Sequence, residues 1–157
     1  MNNRAIFLDR DDTIIVDRGY LSNPNDIEFL PGVVSALKTF QDTGYLLIMV
    51  SNQSGIGRGY FTIDEYNAVH ARFMELLKDN DISFTAYYYC PHAPDDNCEC
   101  RKPKAFWAYK AAEEYNIDLN ESYMIGDKDS DIEFGNNFGA KQSFKSVTEC
   151  VQYFERA

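Results

Sequence analysis

The sequence predicts an α/β fold: a three-layer, Rossmann-like sandwich around a mostly parallel five-stranded sheet, in one domain spanning residues 1–157. Three observations carry this expectation. Strand and helix patterns alternate along the whole chain, the rhythm of successive β-α-β units. The apolar runs Ala5-Ile6-Phe7-Leu8 and Tyr45-Leu46-Leu47-Ile48-Met49-Val50 do not alternate with polar residues, as expected of strands buried on both faces. A chain of 157 residues, 45% hydrophobic and with 11 Tyr and 11 Phe, has the size and apolar content of one ordinary domain.

Each element has its own signal. Residues 5–8 form the first strand. Thr13 to Pro31 is a loop or small hairpin, punctuated by Gly19-Tyr20 and Asn23-Pro24-Asn25. Pro31-Gly32 opens a helix whose apolar positions are Val33, Val34, Leu37 and Phe40, ending near Gly44. Residues 45–50 are the second strand. Thr62-Ile63-Asp64-Glu65 is a capping box. The helix it starts places Tyr66, Val69, Phe73, Leu76 and Leu77 on one face. Residues 84–89 give the third strand and 104–115 a helix. Residues 122–125 give the fourth strand, 129–136 a short helix, 140–144 the fifth strand and 147–154 a closing helix. No repeat, linker or low-complexity tract interrupts the pattern, and no room remains for a large cap domain.

The net charge is −10. That argues against a nucleic-acid or anionic-membrane partner, which the chain would repel. Local cations can still reverse the field inside one cleft. No signal-peptide apolar region follows Met1, and the run 45–50 is too short to span a bilayer. A cytoplasmic monomer is the expectation. In that compartment four cysteines bind metal or stay free rather than form disulfides.

The chemistry gathers at strand ends. Asp9, Asp11 and Asp12 follow the first strand directly. In an open α/β sheet the C-terminal strand ends are where ligands bind. Clustered carboxylates invite a hard cation such as Mg²⁺, and an Asp so held can also act as a nucleophile. An acidic turn is the plainer alternative. The second strand runs into Ser51-Asn52-Gln53-Ser54-Gly55-Ile56-Gly57-Arg58-Gly59, a loop able to present side-chain and backbone donors to phosphate without being a Walker motif. The fourth runs into Gly126-Asp127-Lys128-Asp129-Ser130-Asp131. If the first and fourth strands are neighbours, Asp127 can share a metal with Asp9 and Asp11, with Asp131 supporting from one helical turn on.

Cys90-Pro91-His92 and Cys98-Glu99-Cys100 supply two S/N ligands on each side of a short loop. That set suits a closed, tetrahedral, structural Zn²⁺ site. A nucleic-acid-binding zinc module is disfavoured by the acidic charge and the lack of a basic helix. Cys150 and His70 fall on helical patterns and read as packing residues. Arg101 and Lys102 follow the cluster immediately, where a zinc loop would hold them rigid; a basic turn before a helix is the alternative.

Taken in order, Asp9-x-Asp11-x-Thr13, Ser51, Lys102 and Gly126-Asp127-x-x-x-Asp131 resemble the four motifs of the haloacid dehalogenase superfamily of phosphatases. The zinc loop and Arg101-Lys102-Pro103 resemble its histidinol-phosphatase-like subfamily. The resemblance covers nearly the whole chain. It implies Asp9 as nucleophile, Asp11 as general acid and base, and Ser51 and Lys102 as stabilisers of the transferring phosphoryl group. It implies Mg²⁺ on Asp9, Asp127 and the main-chain carbonyl of Asp11, with Asp131 behind them, and Zn²⁺ on Cys90, His92, Cys98 and Cys100. Substrate contacts are implied for Asp17, Arg18, Gly19, Tyr20, Asn52, Gln53, Ser54, Arg101 and Lys128, with Arg101 on a distal phosphate. The implied partner is a small phosphorylated metabolite.

Gly19-Tyr20, the loop 52–59 and Gly126-Asp127-Lys128 resemble the branch acting on heptose 1,7-bisphosphate, in the biosynthesis of activated heptose for lipopolysaccharide or surface glycans. The short zinc loop and Lys104-Ala105-Phe106 resemble the histidinol-phosphate branch. The heptose branch is the expectation, and a non-catalytic zinc-stabilised binding module is the remaining alternative. The close family usually has Gly where this chain has Asp12.

Overall fold

A computed structural model describes residues 2–156. Five strands form one sheet: β1 (Ala5–Leu8), β2 (Leu46–Asn52), β3 (Ala86–Cys90), β4 (Tyr123–Ile125) and β5 (Gln142–Phe144). Their order is β3-β2-β1-β4-β5, and every pairing is parallel. The chain therefore starts in the centre of the sheet and winds outward in both directions. Phe7 lies in register with Ile48 on one side and Met124 on the other, so β1 and β4 are neighbours.

Each strand sends alternate side chains to opposite faces. Ile6, Leu8, Leu47 and Met49 pack against α1 (Val33–Asp42), α3 (Ile63–Asp79) and α6 (Val147–Arg156) through Leu37, Phe40, Phe73 and Cys150. Phe7, Ile48, Val50 and Met124 pack against α4 (Phe106–Tyr115) and α5 (Asp129–Phe138) through Ala108, Ala111, Phe134 and Phe138. The result is the expected three-layer sandwich. Cys150 is fully buried in the first of these layers. His70 stacks beside Tyr66 and meets the edge of Tyr87. No described helix is long and apolar enough to cross a membrane.

The second and third strands run further than the sequence expectation, with consequences for the site. β2 runs two residues further, because Ser51 and Asn52 pair with Tyr89 and Cys90 of β3. Ser51 and Cys90 are therefore strand residues, held by the ladder rather than carried on loops. β4 ends at Ile125, as expected, which leaves Asp127 two residues past its strand, whereas Asp9 is one past β1. Gly126 continues the ladder by donating to Phe144 O at 3.0 Å. The Thr13–Pro31 segment is a small hairpin in outline, with an isolated antiparallel bridge between Ile15 and Phe29 and a 3-10 turn at Pro24–Asp26. A four-residue turn of helix, α2 (Ser54–Gly57), follows β2.

Candidate active site

The carboxyl ends of β1, β2 and β4 meet in two adjoining cavities. The inner one, about 90 Å³, is lined by Asp9, Asp11, Lys102, Lys128 and Asp131 among others. The outer one, about 350 Å³, is walled by Asp17, Tyr20, Arg58, Arg101 and Lys128. Asp11, Asn52, Ser54, Arg101 and Lys128 line both. A larger cavity of about 700 Å³ lies elsewhere, between α1 and α6 around Tyr45 and Tyr123 at the strand starts. It holds no cluster of acids and cations of the inner-cavity kind.

Asp9 closes the inner cavity. Its backbone N–H donates to Ile125 O at 3.0 Å, which ties the start of the turn to β4. The turn then tightens: Arg10 O accepts from Thr13, Ile14 and Ile15. Asp9 Oδ1 accepts from Lys102 Nζ at 3.0 Å. The same ammonium donates to Asp131 Oδ1 at 2.6 Å and to Val50 O at 2.7 Å, so its three protons are committed. Burial alone would push Lys102 towards neutrality, but the Asp9 and Asp131 carboxylates outweigh it and raise its pKa. It stands as a buried cation beside Asp9.

Asp9, Asp127 and Asp131 offer oxygens within 4.8 Å of one another. Both Asp131 oxygens are already used, by Lys102 Nζ and by Lys128 N at 3.2 Å. Asp127 Oδ1 is buried with no hydrogen-bond partner. Burial, reinforced by Asp9, lifts the Asp127 pKa to about 6. An orphaned buried oxygen beside a second carboxylate is a site short of positive charge, and its all-oxygen donors fit a hard divalent cation.

Asp11 lines both cavities and is held by a different set of partners. Arg10 Nε and one terminal nitrogen donate to Asp11 Oδ1 at 3.2 and 3.1 Å, and Gln53 Nε2 donates to Oδ2 at 3.1 Å. Burial raises the Asp11 pKa, Arg10 opposes, and Asp9 adds to the rise. Gln53 Nε2 also donates to Ser51 Oγ at 2.6 Å. Asn52 and Lys102 exchange two hydrogen bonds, Lys102 N to Oδ1 at 2.9 Å and Nδ2 to Lys102 O at 3.2 Å. That pair ties the end of β2 to the cationic loop.

The loop leads back to the sulfur cluster. Cys90 Sγ lies 3.4 Å from both His92 Nδ1 and Cys98 Sγ, and Cys100 Sγ lies 3.5 Å from His92 Nδ1 and 2.7 Å from Cys90 Sγ. Zn–S bonds of about 2.3 Å in a tetrahedron put ligand atoms roughly 3.5–3.8 Å apart. Three of these separations fall near that spacing and the Cys90–Cys100 pair is tighter, so the four atoms gather about one point that a zinc ion could occupy.

The other expected contacts divide. Asp17, Gly19, Tyr20 and Ser54 line the outer cavity. Arg18 does not: its guanidinium pairs with Glu28 at 3.0 Å and with Asp26 O at 3.1 Å. Arg101 carries a buried terminal nitrogen without a partner. Two residues escaped the sequence reading. Arg58 lines the outer cavity, and its only sequence signal was a cation between Gly57 and Gly59. Arg10 is 1% exposed, although a charge just past a strand end reads as a surface residue.

Similarity to known proteins agrees with this geometry. The HAD-hydrolase-like family model matches residues 99–144. The D-glycero-beta-D-manno-heptose-1,7-bisphosphate 7-phosphatase of Helicobacter pylori J99 is 44% identical over 142 residues, covering 90% of this chain and 82% of that protein. The chain belongs to the HAD-like heptose-bisphosphate phosphatase family. The Haemophilus ducreyi member is 42% identical over 149 residues, covering 90% of this chain and 81% of that protein. The crystal structure of the B. bronchiseptica protein named D,D-heptose 1,7-bisphosphate phosphatase, complexed with magnesium and phosphate, superposes with a TM-score of 0.82. It is 30% identical, over 88% of this chain and 78% of that one.

Proposed function

We propose that this chain is a Mg²⁺-dependent phosphatase that removes the 7-phosphate of D-glycero-D-manno-heptose 1,7-bisphosphate through an aspartyl-phosphate on Asp9. The observation that carries the reading is Asp9 itself. It lies at a small cavity, 3.0 Å from a buried ammonium and beside a carboxylate whose oxygen lacks a partner. Asp9, Asp127 and the Asp11 main-chain carbonyl would hold Mg²⁺. When bound, the ion neutralises charge on the phosphoryl oxygens.

The residues then divide the work. Asp9 Oδ attacks phosphorus as the bond to the sugar oxygen breaks, and Asp11 gives that oxygen its proton. Water next attacks the acyl phosphate, Asp11 takes the water's proton, the P–O bond to Asp9 breaks and inorganic phosphate leaves. Ser51 supports the transferring oxygens through its hydroxyl proton and Lys102 through its positive charge. Arg101, with its unpartnered buried nitrogen, and Lys128 and Arg58 on the same wall, suit the distal phosphate of a bisphosphate. Zn²⁺ on Cys90, His92, Cys98 and Cys100 would fix the loop that carries Arg101 and Lys102. The relatives' names specify the β anomer, which supports the β-1-phosphate as preferred.

The test compares kcat/KM on the α and β heptose bisphosphates and on histidinol phosphate, with Asp9→Asn as control. The β bisphosphate should be preferred and Asp9→Asn inactive. A clear preference for histidinol phosphate would overturn the substrate, and full turnover by Asp9→Asn would overturn the nucleophile.

A further inference from the structure

Arg10 is one of the largest fully buried side chains, at 1% exposure, and it sits between the two key aspartates. Nothing in the reaction outlined above uses it. A buried guanidinium is costly unless paired, and an apolar residue of similar size often serves stability as well. Its partners are therefore informative. It donates three times to the Asp11 carboxylate, at 3.1–3.2 Å, and once to Gln53 Oε1 at 3.4 Å. Its cationic carbon lies 5.8 Å from the Tyr66 ring centre, a further anchor for the charge.

These contacts fix the orientation of the Gln53 amide. Arg10 has no acceptor, so the amide must turn its oxygen towards Arg10. Its NH₂ group then faces Asp11 Oδ2 at 3.1 Å and Ser51 Oγ at 2.6 Å. The opposite orientation would set an amide oxygen against a carboxylate. Since Ser51 Oγ accepts from Gln53, its own proton is free for another acceptor. Among the described residues no acceptor is paired with it. Gln53 is itself 5% exposed, so its amide is committed inward.

We infer that Arg10 and Gln53 are positioning residues for this reaction. Together they set one hydrogen-bond polarity, which orients the Asp11 carboxylate and leaves the Ser51 proton available to a phosphoryl oxygen. The inference rests on the roles given above to Asp11 and Ser51.

The test uses the full-length chain with Mg²⁺ in single turnover on two esters. The heptose bisphosphate has an alkoxide leaving group that needs a proton. p-Nitrophenyl phosphate has a phenolate that departs without one. Gln53→Glu replaces the donor by an acceptor at nearly constant shape. Release from the sugar ester should fall ~1,000-fold, ~100-fold from the misoriented general acid and ~10-fold from Ser51, with KM within about threefold. Release from the aryl ester should fall only ~10-fold, through Ser51 alone. Arg10→Lys keeps the charge but loses the fork, and should show the same bias. A residue serving only structure would slow both esters alike, in step with a lowered Tm. Equal losses on the two esters in both variants, or an effect on KM alone, would overturn the proposal. A wild-type chain inactive on both esters would instead overturn the phosphatase reading beneath it.

Discussion

Lys102 Nζ donates to Asp131 Oδ1 at 2.6 Å, with both side chains almost wholly buried at 2% and 1% exposure. The second carboxylate, Asp9, lies 3.0 Å from the same nitrogen. Asp131 thus anchors the cation from α5 while Asp9 meets it from β1. Asp131→Ala leaves the ammonium with Asp9 alone and strips a short, buried, charge-assisted hydrogen bond from it. It should cost about 1.5–3 kcal/mol, read as a lowered urea midpoint at unchanged m-value. Turnover should fall as well, because Lys102 loses the partner that holds it on Asp9. A midpoint equal to wild type would contradict this account.

Gly126 is the residue that lets Asp131 come so close. A Cβ there would lie 2.3 Å from Asp131 Cγ and 2.4 Å from its Oδ2. Asp131 is packed and doubly hydrogen-bonded, so it cannot swing away without dropping Lys102 or Lys128 N. Gly126→Ala should lose kcat by at least ~10-fold, since small misplacements at a reacting centre are costly. A crystal structure of the variant should show Asp131 displaced. Wild-type kcat would show that the contact relaxes harmlessly.

Much of this was legible in the sequence, for identifiable reasons. Central parallel strands are continuous apolar runs, so 5–8 and 45–50 declared themselves, and the residues after them became candidates. Four sulfur and nitrogen ligands within eleven residues needed no tertiary information. What escaped depends on contacts between distant elements. Arg10 looks solvent-exposed until Gln53 from the end of β2 and Tyr66 from α3 close over it. Arg18 neighbours Asp17 and Gly19 in sequence, but its pairing with Glu28 carries the guanidinium away from the cavity. Ser51 and Cys90 read as loop residues from sequence, because pairing between β2 and β3 extends past the apolar runs.

Asp12 shows a local rule at work. Its φ is +62°, in the left-handed region, and its N–H donates to Ile15 O at 2.7 Å. Glycine adopts that conformation freely, and Asp tolerates it better than most residues. Asp12→Gly should leave stability within about 1 kcal/mol, as relief of the backbone offsets the greater entropy of the unfolded chain. Asp12→Val should cost about 1–2 kcal/mol, because a β-branched residue fits this region worst. Urea melts of the pair check both; a neutral Asp12→Val would show that the turn does not need the left-handed conformation.

The loop that carries the Cys–His cluster is clamped at a second glycine. Gly57 N donates to Pro91 O at 2.8 Å, and a Cβ on Gly57 would lie 2.6 Å from Ala93 N and 2.8 Å from Pro91 O. Those neighbours are backbone, so they yield only if the loop moves. Gly57→Ala should therefore lower zinc content and Tm together. Cys100→Ser should do the same by removing a ligand. Metal analysis of unchelated protein alongside thermal melts reads both, and full zinc with wild-type Tm in Gly57→Ala would rule out the clamp.

His70 sets an acid-side limit on stability. Burial among Tyr66, Phe73 and Tyr87, with Arg10 as a second cause, lowers its pKa to about 4, against 6.5 for a free imidazole. Between those values the unfolded chain binds the proton and the folded one does not. Stability is thus unaffected by this group above pH 6.5, falls as the pH drops from there towards 4, and levels off below. Carboxylates titrate over the same range, so the informative quantity is a difference. His70→Gln keeps a polar side chain of similar length without a titrating ring. Its Tm should fall less steeply than wild type between pH 6.5 and 4, while above pH 7 the two curves run parallel. Parallel curves across the whole range would mean that His70 accepts its proton in the folded protein as readily as in the unfolded one.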